Sequence, residues 1–132
     1  MLVKNLGIND RIHIVGLLNR REVAELLNSV NAFALLSTNE TFGVSYIEAL
    51  ACGCPVLATR NGGAEEIVNS DNGIIVEVDD TEMIIDALKT IKKKYFQYNL
   101  QNISNNCIEM YSENTIYNKT IEIYNRLICK SM

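Results

Sequence analysis

The stretch "STNETFGVSYIEALACGCPVLATRNGG", Ser37–Gly63, carries two glutamates, Glu40 and Glu48, in an apolar, glycine-rich run whose one other charge is Arg60. Its middle, "FGVSYIEALACG", reads as a helix that Gly53 closes near the C-terminal end. On one side "NAFALLS" is a continuous apolar run, as expected for a strand buried on both faces. On the other side "PVLAT" reads as a second buried strand. A strand, a loop, a helix and another strand in this order are the unit of a parallel sheet.

The pattern extends in both directions. "RIHIVG", Arg11–Gly16, is a short apolar run closed by glycine and reads as a strand. "RREVAELLNSV" follows, with Val23, Leu26, Leu27 and Val30 at helical spacing. Downstream, "GGAEEIVNS" reads as a loop with a short helix and "GIIVEV" as a strand. "DTEMIIDALKTIKKKYF" then reads as a helix, and two more helical stretches begin near Tyr98 and Ser112. Strand and helix alternate four times. The predicted fold is α/β, a Rossmann-like parallel sheet with flanking helices, and ligands of such sheets bind at the carboxyl ends of the strands.

Composition agrees with one soluble domain. The chain has 132 residues, 48% hydrophobic and 21% charged, with a net charge of −4. An acidic balance argues against nucleic acid as a partner, because phosphate backbones select basic patches. No apolar run approaches the roughly 20 residues that span a bilayer, and "MLVKNLGINDR" lacks a signal-peptide core. We expect a cytoplasmic protein, with peripheral contact at the inner face of the membrane as the furthest it goes. The basic run Lys89–Lys94 reads first as a solvated helix end. Cys52, Cys54, Cys107 and Cys129 lack the paired spacing of a zinc site, and His13 is the one histidine. The thiols are expected to be reduced and to bind no metal.

Two features suggest an incomplete domain, expected to span 1–132. "VKNLGIND" resembles the tail of an earlier helix. In the terminal helix, 112–130, Ile116, Tyr117, Ile121, Tyr124, Leu127 and Ile128 form one wide apolar stripe. That stripe packs either within this domain or on an N-terminal domain absent here.

The glutamates can be placed on this frame. Thr38–Phe42 form the loop at a strand's carboxyl end, and Gly43 opens the next helix. A helix start offers free N–H groups and partial positive charge, which suits phosphate. Glu40 precedes that start and Glu48 lies inside the helix on an apolar face. Carboxylates repel phosphate and accept from hydroxyls, so a nucleotide-sugar, anionic in the middle and polyhydroxylated at both ends, fits the set. The alternative is that Glu40 caps the helix and Glu48 satisfies a buried backbone donor. Spacing alone leaves both open.

The run "ETFGVSYIEALACGCPVLATRNGGAEEIV" resembles the glutamate-x7-glutamate region of retaining GT-B glycosyltransferases of the GT4 type. "RIHIVG" and "NGIIVEVDD" also fall where that family has corresponding segments. The resemblance implies the C-terminal, donor-binding domain of a GT-B fold, present in part. It implies that Glu40 contacts donor-sugar hydroxyls beside the reacting carbon, as the catalytic residue. Phe42, Gly43 and Val44 would offer backbone amides to the sugar and diphosphate. Glu48 would hold the ribose, and the Gly16 loop would pass near the base. It implies transfer with retained configuration from a nucleoside-diphosphate sugar, the substrate, with no metal or other cofactor. The acceptor, a glycan or lipid, would bind through the missing N-terminal domain. The family's phosphate-binding arginine and lysine find no match before Arg11, so the chain alone is expected to be inactive. A nucleotide-sugar epimerase of the same architecture and a non-catalytic nucleotide-sugar-binding module are the alternatives.

Overall fold

The computed structural model describes residues 2–130. Three parallel strands form one sheet in the order β1 (Phe33–Leu35), β2 (Val56–Thr59) and β3 (Gly73–Val76). Phe33 pairs with Val56 and Leu35 with Ala58, and on the other edge Val56 pairs with Gly73 and Thr59 with Val76. Around them lie α1 (Leu2–Asn5), a 3-10 turn at Asn9–Arg11, α2 (Arg20–Ser29), α3 (Val44–Ala51) and α4 (Ala64–Ile67). After the sheet come α5 (Thr81–Lys94), a 3-10 turn at Tyr95–Gln97, α6 (Leu100–Tyr111) and α7 (Glu113–Lys130).

Helix boundaries follow local chemistry. Asn19 caps α2 with its side chain and Glu22 answers from the third position, a full capping box. Asp80 and Asn99 cap α5 and α6 with their side chains alone, accepting from Met83 N–H and Asn102 N–H. The end of α3 is a Schellman turn: Gly53, at φ 74°, donates to Leu50 O at 2.8 Å, and Cys54 N–H donates to Ala49 O at 2.9 Å.

Successive residues of β2 point to opposite faces of the sheet, and each face has its own core. Val56 and Ala58 join Leu27, Tyr46, Leu50, Ile67 and Ile103 on the side of α2, α3, α4 and α6. Leu57 joins Val76, Ala87 and Ile91 on the side of α5. Helix α6 is tied to α3 by Ser104 Oγ, which donates to Ala51 O at 2.7 Å.

Two expectations need correction. The run Arg11–Gly16 is not a strand: among the described residues no backbone hydrogen bond joins Ile12–Gly16 to another element, and Ile14 is 72% exposed. Apolar composition makes a strand only where an unpaired edge lies alongside. The sheet therefore has three strands where the alternation predicted four. Nor is the first strand buried on both faces, since Ala34 and Leu36 are exposed; only the central β2 is buried throughout. The sequence leaves the α7 stripe open between packing within this domain and packing on another; Ile116, Tyr117, Ile121, Tyr124 and Ile128 are exposed among the described residues.

Candidate functional site

Three loops meet at the carboxyl ends of the strands. The loop after β1 runs through Ser37 to Gly43, the one after β2 is Arg60–Gly63, and the one after β3 begins at Glu77. The first two are laced together by the backbone, where Glu40 N–H donates to Asn61 O at 3.0 Å. They also touch closely. A Cβ added to Gly63 would stand 3.0 Å from the Phe42 carbonyl carbon and 3.1 Å from Glu40 Cβ. Glycine at position 63 is what lets the loops approach.

Gly43 sits at the N-cap of α3 with φ 84° and ψ 49°, in the left-handed region. A side chain there would collide with the Tyr46 ring, so both backbone angle and space demand glycine. The result is a helix start with bare backbone, whose first amides, at Val44 and Ser45, have no acceptor one turn earlier. Val44 and Ser45 are exposed, while Tyr46 is fully buried beneath them. Phe42 turns its ring away to meet Tyr111 edge-on at 6.3 Å, leaving its main chain at the loop.

Glu40 is half-buried, and one carboxylate oxygen accepts from Ser37 Oγ at 3.0 Å. Sequence reading placed Glu48 on an apolar, buried face, and this is corrected. The buried face of α3 consists of Tyr46, Ala49 and Leu50, and Glu48 is exposed. It stands at the rim of an open cleft of about 400 Å³ whose walls include Leu27, Val30, Phe33 and Ser45. The structure thus places Glu40, Phe42, Gly43 and Val44 together at one loop–helix junction, with Glu48 a turn along the same helix. Gly16 is not brought to a strand end: it lies in the exposed segment, at φ 71° with no atom near its missing side chain.

Residues that the sequence did not single out hold this junction. Asn61 is buried, its Nδ2 donating to Tyr46 Oη at 2.7 Å and Ser37 Oγ at 3.1 Å, while its Oδ1 accepts from Ala64 N–H at 3.0 Å. Tyr46 Oη in turn donates to Leu35 O at 3.2 Å, and Thr59 Oγ1 donates to Ser37 O. Glu65 turns back to accept from Asn61 N–H at 3.2 Å and Gly62 N–H at 3.0 Å. Burial works to raise the Glu65 carboxyl, but these backbone donors and nearby Arg60 prevail and hold it below its ordinary range. Arg60 itself reaches across to Glu77 at 2.9 Å.

Elsewhere, a larger cavity of about 920 Å³ opens at the amino end of β3, among Asn69, Asn72, Tyr98, Asn102 and Asn106. It lies away from the loops of the carboxyl ends. Among the described residues, no three His, Cys, Asp or Glu side chains form a metal-holding group, and no helix is long and apolar enough to cross a membrane. The four thiols are free.

Residues 1–110 match the profile of the family described as glycosyl transferases group 1. The chain is 41% identical over 101 residues to N-acetyl-alpha-D-glucosaminyl L-malate synthase of Bacillus anthracis, covering 75% of this chain and 26% of that one. Sucrose-phosphate synthase from Thermosynechococcus elongatus superposes with a TM-score of 0.85 at 24% identity, over 98% of this chain and 33% of its own. HepE of Anabaena, solved in complex with UDP, superposes at 0.84 with 23% identity, over 94% and 35%. These likenesses give the fold, the Rossmann-like arrangement of GT-B glycosyltransferases. The chain spans about a quarter to a third of the length of these proteins. It belongs to the glycosyl transferases group 1 family.

Proposed function

We propose that this member of the glycosyl transferases group 1 family supplies the donor-binding part of a retaining hexosyltransferase. In this reading the donor is a nucleoside-diphosphate sugar and the acceptor a glycan or lipid. The observation that carries it is the pairing of a carboxylate with a bare helix start at the carboxyl end of β1. Glu40 is held by Ser37, and the amides of α3 begin three residues later at Gly43. The N–H groups at the helix start stabilise the charge that develops on the leaving diphosphate. Glu40 accepts from the hydroxyls of the transferred sugar beside the reacting carbon. Main-chain N–H groups at Phe42, Gly43 and Val44 bind the sugar and diphosphate.

Glu48, exposed on α3, accepts from the ribose, and in this scheme the Gly16 turn passes near the base. No metal ion is required in this scheme. The apolar stripe of α7 packs on the remainder of the intact enzyme, where the acceptor binds, in the cytoplasm and at the membrane's inner face when the acceptor is a lipid. HepE, a protein of the same fold, has been solved with UDP-glucose bound, which supports a donor of this class.

The test is a titration of the chain and its Glu48→Ala variant with UDP, GDP and ADP, followed by protein NMR. Shifts gathered at Gly43–Ser45 and weakened in the variant are expected, and the responding nucleotide names the base. Shifts gathered instead around Asn69–Gly73 would remove the site from the carboxyl end of the sheet.

A further inference from the structure

We infer that Asn61 is a positioning residue for Glu40, acting through Ser37 by fixing the direction in which two hydroxyl protons point. The inference rests on the catalytic reading of Glu40 given above.

The geometry leaves one proton order. Ala64 N–H can only donate, so the Asn61 atom 3.0 Å from it is the amide oxygen. The NH₂ group therefore faces the two hydroxyls, with Tyr46 Oη at 2.7 Å and Ser37 Oγ at 3.1 Å. An amide NH₂ only donates, so each hydroxyl spends a lone pair on Asn61 and must send its own proton elsewhere. Tyr46 sends its proton to Leu35 O, 3.2 Å away. Ser37 sends its proton to Glu40 Oε1, 3.0 Å away. The carboxylate is thereby held by a donor whose orientation is set from the neighbouring loop, 24 residues along the chain.

The surroundings keep this order in place. Asn61 is 6% exposed and Tyr46 is fully buried, so water does not compete for the Asn61–Tyr46 bond, while Ser37 and Glu40 are half-buried. The Asn61 main chain is fixed as well, its N–H capped by Glu65 and its carbonyl taken by Glu40 N–H. Asn61 thus grips Glu40 twice, at the backbone directly and at the carboxylate through Ser37.

Asparagine is the residue this job requires. An aspartate of the same shape would accept where Asn61 donates. Both hydroxyls would then turn their protons toward it, and Ser37 would have none left for Glu40. Leucine or valine would leave the buried Ala64 N–H unpaired and take from both hydroxyls the donor that orients them.

The test has two readouts. In NMR spectra of the chain, the Asn61 side-chain NH₂ should appear as two widely separated protons that exchange slowly with water. A rapidly exchanging, averaged pair would overturn the hub. In the intact enzyme, Ser37→Ala and Asn61→Asp should each lower kcat by about tenfold while the donor KM stays within about twofold, because the carboxylate is misplaced rather than lost. Ser37→Thr keeps the hydroxyl and should retain turnover. In a Glu40→Gln background neither substitution should cost more, since both act through that carboxylate. Losses that add to that of Glu40→Gln, or an unimpaired Ser37→Ala in an enzyme that Glu40→Gln disables, would overturn this inference alone. A fully active Glu40→Gln enzyme would overturn the catalytic reading and this inference with it. Should Asn61→Asp fail to fold, Ser37→Ala decides the matter.

Discussion

Gly43 rests on the ring of Tyr46 so closely that a methyl group added to the glycine would stand 2.9 Å from Tyr46 Cε2 and closer still to Cδ2. The same tyrosine is pinned by Asn61 at its hydroxyl, so its ring cannot swing away. The left-handed backbone of Gly43 adds roughly 1–2 kcal/mol of cost for any L side chain. Gly43→Ala should therefore destabilise the chain by at least about 2 kcal/mol, strain and overlap together. A urea melt measures this. A variant as stable as the parent would mean that the junction is soft and that α3 can start elsewhere.

The two glutamates occupy different settings and should fail differently. Glu40 is half-buried, anchored by Ser37 and by its own main chain, whereas Glu48 is exposed at a cleft rim. In the intact enzyme, Glu40→Ala should chiefly reduce kcat, on the order of a hundredfold or more. Glu48→Ala should chiefly raise the donor KM, by roughly tenfold, the worth of one or two hydrogen bonds to a charged acceptor. Steady-state kinetics with varied donor separates the two. Equal, small losses from both would remove the assignment of these residues to the donor.

The physical reasons why some of this was legible in the sequence are specific. The start of α3 at Gly43 and its end at Gly53 are local events, decided within a few residues and hence readable from them. "PVLAT" was equally plain, because a strand walled in on both faces leaves no position for a charge. "RIHIVG" misled because strand formation depends on a partner edge, which composition does not carry. The burial of Glu48 was misjudged because apolar residues lie on every side of this short helix, and it turns Tyr46, Ala49 and Leu50 inward instead. Asn61 went unnoticed because Asn-Gly signals a turn by itself. Its contacts to Ser37 and Tyr46 span 24 and 15 residues, and no periodicity encodes them.

Glu65 ties the Arg60–Gly63 loop to α4 only while it is ionised with full strength. Its carboxyl is held below its ordinary range in the folded chain, so the stability it gives is complete above its unfolded pKa. That stability is lost as pH falls through the depressed folded value. Glu65→Gln should therefore be less stable than the parent at pH 7, and the gap should close as both are taken into the acidic carboxylate range. Thermal melts at a series of pH values check this. A gap that does not change with pH would mean that the carboxylate's charge adds nothing to its hydrogen bonds.

The four thiols should react in an order set by burial. Cys54 is buried and pushed up to about 11, first by loss of solvent and then by neighbouring Cys52. Against an ordinary value of 9.0, its thiolate fraction at a given pH is roughly a hundredfold smaller. Cys107 is raised by the same two causes in the same order, and Cys52 by burial and then Glu48, against a hydrogen bond from Asn28. Cys129, on α7, is exposed. Iodoacetamide at pH 8 should alkylate Cys129 first and Cys52 more slowly, leaving Cys54 and Cys107 unmodified until guanidinium unfolds the chain. Mass spectrometry of a time course reads the order directly. Early modification of Cys107 would show that α6 opens from α3 in the native state, since its Sγ lies 3.4 Å from Ile47 O within that contact.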